Sequence, residues 1–369
     1  MRKILLASTA LVAMTSVSAM AADVTISGSF EFGYQNTSQN DAYADTAGRA
    51  SNTPSNTVAA LGQRSFVDAN MKNGSRFYTQ NDVNIKFSET TDSGLTMSFN
   101  FGLDEESSTG TNNQDDMIFE VSGDFGRLNI TGENDDSVLD AIDIEAAYTK
   151  DEASTSHTRA SSGINSVAGE ASGGLASGTV VTYYLPEMVT GLTAGVSVSN
   201  GGLNSKGDVT EYGIKYATGT DGVDVTVNWG TADEGNNGAP ATDTAVDDAG
   251  IQTTAYGIQV AAMGVTFGYQ TTEFDNKDSA NDFQAQALGV KYTLGNMPVT
   301  LAAAVENLDA DFEPGAGVSG DFERTSYSAT YDIASGLSAS ITTSSSEEKV
   351  GGEEADQDDV MTFAINASF

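Results

Sequence analysis

Apolar and polar residues alternate along most of the chain in blocks of about ten residues. The first block places Val24, Ile26, Phe30, Phe32 and Tyr34 on one parity, with polar residues between them. The same alternation returns at 77–87, 95–103, 223–229, 265–269, 288–294 and 361–369. A period of two residues is typical of β-strands that turn one apolar and one polar face outward. The pattern therefore predicts an all-β chain.

The connectors between the blocks alternate in length. Short turns are predicted near 90–94, 123–126, 186–191, 218–222, 262–264, 295–298 and 333–336. Long polar connectors are predicted near 36–75, 104–115, 133–178, 199–208, 231–250, 274–281, 306–320 and 344–358. Fifteen connectors join sixteen strands, with both termini at the short-turn end. An even strand number, with short turns at one end and long loops at the other, predicts a 16-stranded antiparallel up-and-down transmembrane β-barrel.

The first residues have the features of a secretory signal peptide. Arg2 and Lys3 precede an apolar run at 4–14, and residues 19–21 read Ala-Met-Ala, a small-residue cleavage site. The run is too short to cross a bilayer as a helix. The sequence therefore predicts a signal peptide at 1–21 and one barrel domain at 22–369. With no other long apolar run, a mature chain that crosses a membrane must do so as strands.

Composition narrows the possible functions. The chain has 52 acidic and 16 basic residues, a formal net charge of -36, and no cysteine. Without Arg2 and Lys3, 14 basic residues face 52 acidic ones, which gives -38. Such a charge repels phosphates and disfavours nucleic acid as a partner. The lack of cysteine excludes disulfides, thiolate zinc sites and a cysteine nucleophile.

The parity of the charged residues distinguishes a membrane barrel from a sandwich with an apolar core. Ten charged residues fall on the polar parity, which would face the lumen of a barrel: Glu31, Asp82, Lys86, Glu120, Arg127, Glu211, Lys215, Asp224, Lys291 and Arg324. Glu273 and Glu323 fall on the apolar parity but beside long loops. Aromatic residues recur at the short-turn ends of strands and predict an interfacial girdle: Phe87, Tyr184, Tyr216, Tyr292, Tyr331 and Phe369. The parity slips near Phe283 to Leu288, which predicts a β-bulge.

Four segments resemble the general diffusion porins of Gram-negative bacteria, and most closely the alphaproteobacterial, Rhodobacter-like group. They are the opening strand Val24-Thr-Ile-Ser-Gly28, the turn Thr91-Asp-Ser-Gly-Leu95, the block at 122–132 and the terminal Phe369 on an alternating strand. Each motif alone is weak, but their order is specific. The resemblance implies a homotrimer in the outer membrane, in contact with lipopolysaccharide. It also implies passive diffusion of small hydrophilic solutes, and a C-terminal Phe369 read by the barrel-assembly machinery.

The resemblance also implies that the long third loop, at about 133–178, folds into the pore. This loop lacks the Pro-Glu-Phe-Gly-Gly-type segment often found in the family. The acids Asp135, Asp136, Asp140, Asp143 and Glu145 are then expected to face the lumen. The bases expected on the opposite wall of the constriction are Arg76, Lys86, Arg127, Lys215, Lys291 and Arg324. Because acids dominate the chain and its loops, the sequence predicts a pore that prefers cations.

Other chemistry has little support in the sequence. His157 is the single histidine, and Ser154, Ser156 and Ser161 are its neighbours in sequence only, so no enzyme is predicted. No cofactor is predicted. The segments at 218–222 and 231–235 only faintly resemble calcium loops, so acidic loops could bind Ca²⁺ weakly. A secreted acidic β-rich surface or calcium-binding protein stays open as the alternative, and behind it a barrel enzyme or a substrate-specific channel.

Overall fold

A computed structural model describes residues 23–40, 74–106, 112–132, 137–144, 146, 179–200, 208–234, 251–276, 282–311, 320–350 and 353–369. In this part of the chain there are sixteen strands and one short helix. The first eight strands are β1 (Asp23–Asn40), β2 (Gly74–Thr90), β3 (Thr96–Glu106), β4 (Asn112–Gly123), β5 (Gly126–Thr131), β6 (Val180–Tyr184), β7 (Leu192–Asn200) and β8 (Asp208–Thr220). The last eight are β9 (Val223–Glu234), β10 (Ile251–Ala262), β11 (Val265–Asn276), β12 (Asp282–Thr293), β13 (Val299–Asp311), β14 (Gly320–Ala334), β15 (Leu337–Val350) and β16 (Glu353–Ser368). Helix α1 (Val138–Ile142) lies between β5 and β6.

Each strand pairs antiparallel with its neighbours in sequence, and β16 pairs with β1 to close a barrel. At the seam, the Gly28 amide donates to the Phe369 carbonyl at 3.2 Å, and the Phe369 amide donates to the Gly28 carbonyl at 3.0 Å. Closure lets the strands pair their backbone groups without an open edge, as a lipid environment requires. The predicted sixteen-stranded up-and-down barrel is confirmed.

The two faces of each strand differ as the alternation predicts. On β1, Phe30, Phe32 and Tyr34 are exposed on the outside, while Glu31 and Gln35 are buried on the inside. Strand register carries this assignment around the barrel, and all ten charged residues predicted on the polar parity share the inner face. The outer face carries an apolar band of Val, Leu, Ile, Phe and Tyr side chains.

Two details of the predicted strands are wrong. Tyr184 does not belong to an outer girdle, because it lies on the inner face with 4% exposure, whereas Tyr183 is on the outer parity and donates to the Phe125 carbonyl. The expected bulge at Phe283 to Leu288 is absent, since β12 pairs with both neighbours in unbroken register. The apparent slip arises because the outer face becomes polar toward the loop end, where Gln286 donates to Gln284 at 2.8 Å.

The seven described short turns lie at one end of the barrel, as predicted. Two of them are two-residue hairpin turns with the same backbone geometry: Asp221 and Gly222 have φ of 50° and 81°, and Met263 and Gly264 have φ of 54° and 81°. Positive φ at both positions suits the right-handed twist of a β-hairpin. No helix in the described part of the chain is long and apolar enough to cross a membrane.

Candidate functional site

A short segment of the third loop, residues 137–146, packs against the inner wall of the barrel. It begins with Ser137, which caps α1: the Asp140 amide donates to the Ser137 hydroxyl at 3.4 Å, and the Ser137 amide donates to the Asp140 carboxylate at 3.0 Å. This reciprocal pair is a capping box. A five-residue helix is not stable alone in water, so contacts with the wall must hold it.

The first set of contacts is apolar. Val138, Leu139 and Ile142 of α1 are at most 1% exposed, and they form one cluster with Tyr184 and Ala232 of the wall. Removing an aliphatic side chain of this size from water contributes roughly 1.5–3 kcal/mol. The predicted folding of the third loop into the pore is therefore observed for this segment.

Three wall glycines make room for the helix. Gly195, Gly213 and Gly230 lie directly opposite one another on β7, β8 and β9, on the inner face. A Cβ at Gly213 would be 2.8 Å from the Ile142 Cδ1 atom, and a Cβ at Gly230 would overlap the Leu139 side chain. These three residues, the glycine ledge, allow α1 to rest on the backbone of the wall.

The second set of contacts is polar and fixes both ends of α1. The Val138 amide donates to the Ser197 hydroxyl at 2.6 Å, which satisfies one of the free donors of the first turn. At the other end, the Asn228 amide group donates to the Ile142 carbonyl at 3.0 Å. The Lys215 ammonium donates to the Asp143 carbonyl at 3.0 Å, a favourable position for a cation at a helix C-terminus.

Gln270 holds the chain just beyond the helix. Its Oε1 atom accepts from the Ile144 amide at 2.9 Å, and its Nε2 atom donates to the Asp143 carboxylate. Ile144 and Ala146 are buried. The loop segment is thus attached to the inner faces of β7, β8, β9 and β11.

An open cavity of about 510 Å³ lies between α1 and the wall of β1 to β6. Ala141 of α1 borders it on one side, and Lys86, Glu120 and Arg127 border it on the other. The Arg127 guanidinium lies 3.7 Å from the Glu120 carboxylate and 4.1 Å from the centre of the Tyr184 ring. Arg127 is therefore held against the wall by an ion pair and a cation–π contact.

The residues predicted for the constriction lie at several different places around the lumen. Asp135, Asp136 and Glu145 lie outside the described residues. Asp140 caps α1, and Asp143 points to Gln270 in the wall. Lys86 and Arg127 line the cavity and Lys215 holds the loop, as described above. Lys291 is on the inner face of β12, in register with Thr266 and Ala302.

The remaining two predicted bases have wall partners. Arg76 lies near the loop end of β2, where its Nε atom donates to Gln35 Oε1 at 2.8 Å. Arg324 forms a buried ion pair with Glu306, its cross-strand partner, and both side chains are at most 7% exposed. Whether these residues form the constriction of the working pore stays a prediction.

Sequence reasoning missed the residues that hold the loop: Ser197, Asn228, Gln270 and the glycine ledge. The ledge has a signal in the sequence, because Gly195, Gly213 and Gly230 all fall on the lumen parity of consecutive strands. Ser197, Asn228 and Gln270 carry no comparable signal, because polar residues are expected anywhere on that face.

Comparison with known proteins identifies the family. The sequence model of the Gram-negative porin family matches residues 7–351. The chain belongs to the Gram-negative porins. This membership confirms the predicted resemblance, places the protein in the outer membrane as a channel, and rules out the alternative of a secreted β-rich protein. The alphaproteobacterial group stays a prediction. No curated protein sequence was found to match the chain.

Several solved structures are similar to this chain in fold. An anion-selective porin from Comamonas acidovorans has a TM-score of 0.60 at 12% identity, covering 94% of this chain and 100% of its own. The outer-membrane protein OmpT of Vibrio cholerae has a TM-score of 0.60 at 11% identity, with 96% and 99% covered. A further refined porin has a TM-score of 0.57 at 17% identity, with 94% and 100% covered. At these identities the likeness supports the fold alone.

Metal binding and the N-terminal leader stay predictions. Within the described residues no group of three or more His, Asp or Glu side chains is placed to hold a metal ion. The segment at 231–235 extends beyond the described part of the chain. Residues 1–21, predicted as a signal peptide, and His157 with its neighbouring serines also lie outside it.

Proposed function

We propose that this porin is a water-filled channel for passive diffusion of small hydrophilic solutes and ions, and that it prefers cations. The observation that carries the ion preference is the pairing of lumen bases with wall acids. Arg324 is paired with Glu306, and Arg127 with Glu120, so the charge of each arginine is largely balanced at the wall. The chain as a whole carries -36. A negative potential at the pore mouth concentrates cations.

The competing proposal is a preference for anions. It is favoured by one observation, the position of Lys86 and Arg127 on the cavity beside α1. The two lumen bases and the single carboxylate of Glu120 leave that cavity with a positive balance. The porin from Comamonas acidovorans, which is similar in fold, is anion-selective. The two proposals differ in the sign of one measurable quantity.

That quantity is the zero-current potential of the purified protein in a planar bilayer under a KCl gradient. We expect the cation-selective sign at low salt, and a smaller potential at about 1 M salt, where the Debye length falls to about 3 Å. Lys86→Gln should increase the cation preference, because it removes a positive charge from the cavity. An anion-selective sign at low salt would mean that Lys86 and Arg127 set the field, and the cation proposal would be abandoned.

We also propose a homotrimer in contact with outer-membrane lipopolysaccharide, assembled by the barrel-assembly machinery. The support for the last partner is the position of Phe369, whose backbone closes the seam against Gly28 while its side chain is 75% exposed. An exposed aromatic ring at the end of the last strand is accessible to a receptor before the barrel closes. The protein is proposed to have no catalytic activity, and its acidic loops to bind Ca²⁺ only weakly.

Phe369→Ala should lower the amount of folded protein in the outer membrane. The substitution keeps the backbone hydrogen bonds to Gly28, so the folded barrel itself should conduct normally. The measurement is the quantity of heat-modifiable protein in isolated outer membranes, with Phe363→Ala as the control for loss of an exposed aromatic ring in the same strand. Equal accumulation of Phe369→Ala and the unaltered protein would contradict the proposed signal.

A further inference from the structure

The short turns of the barrel differ in charge around the ring. The turns at 91–95, 124–125, 185–191 and 221–222 contain Asp92, Asp124, Glu187 and Asp221, respectively. The last three turns, Met263–Gly264, 294–298 and Ser335–Gly336, contain no charged residue. In a chain with 52 acidic residues, three successive uncharged turns form a distinct sector of the rim. We call the first two of these turns the methionine rim, after Met263 and Met297.

The methionine rim is exposed although it is apolar. Met263 is 95% exposed and Met297 is 54% exposed. Met263 also has a positive φ, a conformation that bulky side chains adopt rarely and that Asn, Asp or Gly normally provides in such a turn. Asp221 fills the same position of the neighbouring turn with nearly the same φ. Neither turn geometry nor packing within the described barrel therefore accounts for methionine at 263.

The methionine rim continues the apolar band of the outer wall. The two turns are neighbours, since the Thr293 amide donates to the Gly264 carbonyl at 2.9 Å. Directly beside them Val265, Tyr292 and Leu301 are about two-fifths exposed on the outer face. The band that faces lipid therefore reaches the turns themselves at β11 to β13.

We infer that the methionine rim lies in the interface of the lipid leaflet at the short-turn end, and anchors this side of the barrel there. Methionine suits such a position because its unbranched thioether adapts to irregular apolar surroundings. The four turns that carry an acidic residue remain in water, including the turn at 185–191, where Glu187 lies beside the exposed Met188. The barrel then sits tilted, with β10 to β13 deeper at this end than β8 and β9. The inference does not depend on the ion preference proposed above.

A matched pair of single cysteines tests the inference, because the chain has no cysteine of its own. The variants are Met263→Cys and Asp221→Cys. Met263 and Asp221 are the first residues of two-residue turns with the same geometry, and the strands next to these turns are paired there through Val223 and Ala262. Each variant is labelled with a nitroxide and reconstituted in phosphatidylcholine vesicles. Accessibility is measured to oxygen, which enters lipid, and to a nickel chelate, which stays in water.

We expect the ratio of oxygen to nickel accessibility to be several-fold higher at 263 than at 221. Equal ratios at the two positions would overturn the inference, because both turns would then be in water. Exclusion of both reagents at 263 would also overturn it, since the turn would then be covered by protein, such as a second copy of the chain.

A second measurement uses the unlabelled protein. Trp229 is the single tryptophan of the chain and is 47% exposed on the outer face of β9, so its quenching by brominated lipids reports its depth. Met263→Asp combined with Met297→Asp should shift the depth of Trp229, because the rim would rise toward water. Ser335→Asp, in another short turn, should leave it unchanged. An unchanged depth in folded Met263→Asp/Met297→Asp protein would overturn the inference.

Discussion

Replacing Val227 with lysine should lower the free energy of unfolding of the barrel in lipid by about 2–4 kcal/mol, the cost of a lysine at the bilayer midplane. Val227 lies on the outer face of β9, where it is 39% exposed, four residues after the first residue of that strand. A transmembrane strand spans the bilayer with about 9–11 residues, so this position lies near the middle. The free energy of unfolding is measured by reversible unfolding in lipid vesicles, with the folded fraction read from the mobility of the protein on a gel.

The control is Thr226→Lys, one residue away on the inner face. Its side chain enters the water-filled lumen, where a charged group keeps its hydration, so a change of less than about 1 kcal/mol is expected. Thr226 takes part in none of the hydrogen bonds described above between the loop segment and the wall. Equal losses of stability for the two lysine variants would contradict the assignment of the outer face.

The strands could be predicted from the sequence because their cause is local. Each strand must place apolar residues toward lipid and polar residues toward water, so every block of about ten residues carries the signal by itself. Turn chemistry adds to it, as in the pair Asp221–Gly222. The prediction failed at Phe283 to Leu288, where the outer face is already polar. There the alternation reports the edge of the apolar band, and the register continues without a bulge.

Tyr184 shows a second limit of the pattern. Two adjacent tyrosines must point to opposite faces of a strand, and the sequence around them does not decide which is inside. In the barrel the inner position is set by pairing: Tyr184 lies opposite Arg127 on β5 and stacks with its guanidinium. A partner separated by 57 positions in the chain has no trace in the local pattern.

The loop segment in the lumen was expected only from the family resemblance, and its mode of attachment was not predicted at all. Helix α1 has five residues and little intrinsic stability, so its existence depends on tertiary contacts. The acids Asp140 and Asp143 were expected to line the constriction, and this stays a prediction. The structure adds a role that was not expected: their carboxylates serve the helix cap and the attachment to Gln270, because a loop that packs against a wall must satisfy its own backbone.

Gly230→Leu should displace the loop segment and lower the single-channel conductance. The Cβ atom alone would overlap the Leu139 side chain, which is 1% exposed, and the wall backbone cannot move without breaking its pairing with β8 and β10. Overpacking of this kind costs typically about 1–3 kcal/mol. Since α1 lies between the glycine ledge and the open cavity, a helix pushed off the ledge moves into that cavity and narrows the path for ions.

A double substitution tests whether Gly230→Leu acts through its contact with Leu139. Leu139→Ala removes the side chain that Gly230→Leu would strike, so the combined variant should recover much of the conductance that Gly230→Leu loses. Leu139→Ala alone should leave the conductance near that of the unaltered protein or make the current noisier, because it weakens the apolar contact without filling the lumen. Conductance in a planar bilayer is compared for all four proteins, after gel mobility shows that each is folded. If the losses of the two single variants simply add in the double variant, Leu139 and Gly230 are not in contact in the working channel, and the glycine ledge does not set the position of the loop.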